Sequence, residues 1–65
     1  MRTIEIKSLD SDKIVWRGHY WNFAQAKERA QLMPGSYAIQ GTSSGACSPR
    51  ITSKQWQSAE TFTVP

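Results

Sequence analysis

Ile14-Val15-Trp16-Arg17-Gly18-His19-Tyr20-Trp21, residues 14–21, brings three aromatic rings, one guanidinium and the single histidine of the chain into eight positions. Read as a strand, it sets Ile14, Trp16, Gly18 and Tyr20 on one face and Val15, Arg17 and His19 on the other, because side chains alternate with period two. In a chain of 65 residues core and binding surface compete for the same side chains. Deciding which set faces inward decides the fold.

The neighbours decide it. Upstream, Thr3-Ile4-Glu5-Ile6-Lys7 alternates polar and apolar in the manner of a strand with one buried face, and Leu9-Asp10-Ser11-Asp12-Lys13 follows as a polar turn, which predicts a hairpin. Downstream, Asn22 is a favoured helix N-cap, with Gln25 three residues later at the capping-box position and Trp21 placed to staple the helix start. At about 100° per residue, Phe23, Ala26, Ala30 and Met33 form one apolar stripe. Pro34-Gly35 then predicts a stop after about three turns.

Residues 36–41 alternate again, with Tyr37, Ile39 and Gly41 in one register, and predict a third strand. The small-residue stretch around 42–50 has no periodicity and two breakers, and reads as a mobile loop. Ile51, Trp56, Phe62 and Val64 are spaced among Thr, Ser and Gln, which predicts one or two short strands in the tail, one of them near residues 61–64. The order β-β-α-β with further short β gives a two-layer α+β fold. Its antiparallel sheet of three to five strands is covered on one face by a single helix.

In that fold Ile4, Ile6, Ile14, Trp16, Tyr20, Tyr37 and Ile39 face the helix. Gly18 and Gly41 share their register, as a closely approaching, alanine-lined helix requires. Thr3, Glu5, Lys7, Val15, Arg17, His19, Ala38 and Gln40 then form an opposite face open to a partner.

Composition narrows the function. With 38% hydrophobic and 20% charged residues the chain reads as one globular domain, residues 1–65. At this length it hides only about 60% of its unfolded surface. The single cysteine, Cys47, allows no internal disulfide and no four-cysteine zinc site, which points to a reducing cytoplasm. The opening MRTIEIKSLD has no apolar signal-peptide run, and no stretch is long and apolar enough for a membrane span. The net charge of +3 suits an anionic partner without identifying one.

No reaction chemistry stands out. A Cys47 and His19 nucleophile–base pair lacks a third orienting group and a flanking signature. Asp10 and Asp12 read as turn residues rather than metal ligands. Gly35, Gly41 and Gly45 match no phosphate-binding pattern. The chain is therefore expected to be no enzyme, with no cofactor, no metal and no small-molecule substrate. The expected contact residues are Lys7, Arg17 and His19 on the open face, with Arg50 and Trp56 at its rim. Arg17 also has a structural alternative, pairing with Glu5 across the hairpin, and one of Trp21 and Trp56 is a candidate anchor for a partner. A nucleic-acid reading of Arg2, Lys7, Lys13, Arg17, Arg50 and Lys54 is the alternative. Against it, Glu5 sits amid that surface and the strand aromatics point inward.

The hairpin, the helix NFAQAKERAQLMPG with Ala26 and Ala30, and the strand SYAIQG together resemble the small β-β-α-β proteins that bacteriophages use as inhibitors. Certain anti-CRISPR proteins and a phage inhibitor of host RNA polymerase are among these. The resemblance is one of architecture over residues 3–41. It implies a stoichiometric blocker of a larger bacterial protein complex, working in the host cytoplasm through its surface.

Overall fold

The two alternating stretches form a β-hairpin, β1 (Arg2–Ser8) and β2 (Lys13–Tyr20), in a computed structural model that describes residues 2–42 and 51–65. Ser8 pairs with Lys13. The loop between them closes through Asp12 at a φ of 56°, a left-handed conformation that aspartate accepts more readily than most residues.

Helix α1 (Phe23–Ala30) begins where the Asn22 side chain accepts the Gln25 backbone N–H at 2.8 Å, the N-cap expected of that residue. It ends earlier than Pro34-Gly35 alone predicts, because Gln31 adopts the left-handed conformation at φ 50°. Phe23, Ala26 and Ala30 pack against the core as the stripe requires. Met33 lies beyond the last turn and leaves that stripe, 78% exposed.

Strands β3 (Gly35–Gly41) and β4 (Glu60–Val64) complete an antiparallel sheet in the order β2-β1-β3-β4. The two-layer α+β expectation holds, and the strand expected near residues 61–64 is β4. Ile4, Ile6, Tyr37, Ile39 and Ala26 form the buried core, flanked by Trp16, Tyr20, Leu32, Phe62 and Val64. The Tyr37 hydroxyl donates to the Met33 carbonyl at 2.7 Å, and its ring stacks on Phe62 at 5.7 Å.

Several expectations are corrected. Ile14 is not in the core: Ile6 pairs with Trp16 but Lys7 pairs with Ile14, so Val15 is an extra residue, a bulge in β2. Directly opposed residues share a face. Ile14 therefore stands on the side of Lys7, and strict alternation fails at that point.

Gly18 is required by its own strand rather than by the helix. A Cβ there would lie 2.6 Å from the Trp16 ring, because Trp16 and Tyr20 close over it with ring centroids 5.6 Å apart.

The tail forms one of the one or two strands expected, β4, and adds before it a helix not expected from the sequence. Residues 53–57 form a short helix, α2 (Ser53–Gln57), started by a reciprocal capping box. The Gln55 N–H donates to Thr52 Oγ1 at 3.2 Å, and the Thr52 N–H donates to Gln55 Oε1 at 2.9 Å.

α2 also changes the second face of the sheet. Gln40 Nε2 donates to the Gln55 carbonyl at 2.8 Å, the Lys7 ammonium lies 4.7 Å from the Trp56 ring centroid, and Ile51 is buried. Thr3, Glu5 and Ala38, expected on an open face, are buried. α1 thus covers one face as expected, while the reverse face, expected to be open, is partly covered at its centre. Thr42 is buried and its N–H donates to the Thr3 carbonyl at 2.9 Å. The rest of the expected mobile loop, residues 43–50, lies outside the described residues. No helix among those described is long and apolar enough to cross a membrane.

Candidate functional site

Lys7, Arg17, His19 and Trp56 all fall on or over the α2 side of the sheet, and the fold engages each of them internally. Glu5 and Arg17 stand opposite one another on β1 and β2, and Arg17 Nε meets Glu5 Oε2 at 3.2 Å. The carboxylate is 1% exposed and the Arg17 side chain 42%. A charge removed from water to that extent needs a partner, so Arg17 has the structural role weighed for it in the sequence. Part of its guanidinium still reaches solvent.

His19 lies opposite Thr3, with its Nδ1 3.1 Å from the Thr3 hydroxyl. One ring nitrogen is therefore held by the fold. Lys7 is divided between the Trp56 ring and Asp12, whose carboxylate is 3.4 Å from the ammonium. The Lys7–Asp12 pair ties the hairpin loop to the sheet, consistent with reading Asp12 as a turn residue. Arg50 and Cys47 lie outside the described residues. The Cys47 and His19 reading therefore falls outside them too, and no group of three or more His, Cys, Asp or Glu side chains gathers among the described residues to hold a metal.

The structure separates the three indoles. Trp16 stacks with Tyr20 against the core, and Trp56 lies beneath Lys7. Trp21 alone stands clear, 68% exposed, so it does not staple the helix start. It directly follows β2, an edge strand, whose bulged residue Val15 is 47% exposed. Val15, Arg17, His19 and Trp21 thus form the accessible margin of the sheet. Val15 was legible only as an outward residue, because no rule of alternation announces a bulge. Trp21 was legible as one of two candidates, and it is the more exposed of the two.

Of the basic residues read as a nucleic-acid patch, the described ones are distributed as follows. Lys7 and Arg17 are paired with carboxylates, Lys27 on α1 pairs with Glu60 at 2.7 Å, and Lys54 sits on α2. Arg50 and the Arg2 side chain are outside the described residues.

Comparison of the chain with protein-family models, curated proteins and solved structures finds no match.

Proposed function

We propose that the chain is a small non-enzymatic interaction protein that binds and blocks a larger bacterial protein complex through the β2 margin of its sheet. The observation that carries this reading is Trp21, an indole left 68% exposed at the exit of an edge strand. Exposed Trp and Arg are the residue types that anchor protein interfaces, where burial of a large flat ring releases water over much of its area. Val15 adds apolar surface and Arg17 a partly free guanidinium on the same margin. The architectural likeness to phage inhibitors supports the class of target, a host defence or transcription complex, and a mode of action without turnover. Engagement of Lys7, Arg17 and Lys27 by carboxylates favours protein over nucleic acid as the partner.

Immobilised protein exposed to bacterial lysate should retain one complex at fixed stoichiometry. Trp21→Ala and Val15→Asp should each reduce that capture at least tenfold while shifting stability by no more than about 0.5 kcal/mol, the usual range for exposed positions. Capture indifferent to both substitutions would sink the reading. So would retained material that is nucleic acid released steeply by salt, the signature of phosphate contacts.

A further inference from the structure

The two edges of the sheet are protected to different degrees. β2 carries Lys13, Arg17 and His19 and is bulged at Val15, features that discourage a further strand from joining an edge. Two copies of β2 laid antiparallel about Arg17 would also set one guanidinium against the other. β4 has none of these devices. Glu60–Val64 contains no lysine, arginine or proline and pairs with β3 without a register shift. Its single charge, Glu60, is already neutralised by Lys27 at 2.7 Å.

We propose that the chain self-associates through β4, two copies pairing antiparallel about Phe62. That register sets Thr61 of one copy opposite Thr63 of the other, Glu60 opposite Val64, and the two Phe62 rings opposite each other. Opposed residues share a face. Thr61 and Thr63, both exposed, would therefore meet as hydroxyl pairs on the α2 side. On the α1 side Phe62 and Val64, half-buried against each core, would close the remaining gap. The Tyr37–Phe62 stack would then continue across the seam into its counterpart. No like charges are opposed anywhere along the five-residue strand, and with threonine meeting threonine on one face and phenylalanine meeting phenylalanine on the other the edge is complementary to itself, which selects a second copy. The product is one continuous sheet of eight strands with a β2 margin at each end. Those margins lie roughly 34 Å apart, from seven strand spacings of about 4.8 Å. Self-association concerns a different edge from the β2 docking surface, so either can fail alone.

A seam this short belongs to the weak class of interface, below about 1,200 Å². In sedimentation equilibrium the apparent mass should rise from 7.3 kDa towards twice that value between about 1 µM and about 500 µM, the range in which weak contacts form. Thr61→Lys combined with Thr63→Lys places like charges across the seam and should hold the chain at monomer mass throughout. Thr61→Glu combined with Thr63→Glu should do the same. An equimolar mixture of the two double variants should associate again, and more tightly than the parent. Thermal melts at about 1 µM, where the contact is dissociated, establish that both variants fold. A parent that stays monomeric over the whole range overturns the proposal. So does a lysine variant that associates like the parent, or a mixture of the two variants that stays monomeric.

Discussion

The sheet face beneath α1 is closed over Ile4, Ile6, Tyr37 and Ile39, whereas the face beneath α2 is closed over Thr3, Glu5, Lys7 and Gln40. The first cover needs only shape and apolar area, so its strength scales with the volume that it excludes from water. The second works through particular pairs: Glu5 with Arg17, Thr3 with His19, Gln40 with the Gln55 carbonyl, Lys7 with Trp56. Each of these contributes modestly when made and costs more when one member is lost, because a buried polar group is left short of a partner. One face therefore sets how stable the domain is. The other sets which side chains remain available to anything outside it.

The largest effect tests the first half of that contrast. Ile39 is fully buried on β3, a central strand, directly opposite Ile6. Ile39→Ala should cost about 2–5 kcal/mol through lost transfer energy and the cavity left behind. That is a large part of the roughly 5–15 kcal/mol that holds a small domain folded. Urea titration should show the midpoint falling sharply or the variant unfolded in buffer. A cost below about 1 kcal/mol would mean that the α1 face is not the main source of stability.

The second test moves to the polar face. Arg17→Glu sets two carboxylates opposite one another, one of them at the almost fully buried Glu5 position. It should cost about 2 kcal/mol, less than the full penalty of a buried charge because the guanidinium is partly in water. Lys13→Glu makes the same charge change on the same strand at an exposed position with no carboxylate partner among the described residues. It should stay within about 0.5 kcal/mol of the parent. Equal melting temperatures for the two would remove Arg17 from the structure and return it wholly to the surface.

The two faces also differ in how far they could be read in advance. Ile4, Ile6, Tyr37 and Ile39 announce themselves by alternation, and with Asn22, Ala26 and Ala30 they prescribe the hairpin, the helix and the sheet beneath it. Periodicity carries that information because water exclusion depends only on which side a residue faces. It carries none about Ile14, because the bulge at Val15 arises in pairing between strands and leaves no mark in the local pattern. The cover on the second face escaped for another reason. Thr52-Ser53-Lys54-Gln55 is a capping-box spacing that signals a helix start, yet the five residues that follow show no apolar stripe to support it. The helix is held by a carbonyl, a ring and the buried Ile51, contacts that require the sheet to exist already. Lys7 and Trp56 were both marked as contact residues from sequence. In the fold they lie against each other.

Trp56 supplies the smallest and most discriminating test of the contrast. Its ring is half-buried, with the Lys7 ammonium over it and Gln55 beside it bonded to Gln40. Trp56→Ala removes a cation–π contact of about 0.5–1 kcal/mol at this exposure together with some apolar cover. The expected cost is a little over 1 kcal/mol, a fall of roughly 4–8 °C in Tm for a domain of this size. Trp56→Phe keeps a ring under the ammonium and should recover about half of that loss, since phenylalanine holds a cation less strongly than tryptophan. A loss equal to that of Ile39→Ala would make α2 a second core element and erase the difference between the faces. No loss at all would mean that α2 rests on the sheet without holding it. The intermediate value, restored in part by phenylalanine, is what a polar face closed by separate small contacts requires.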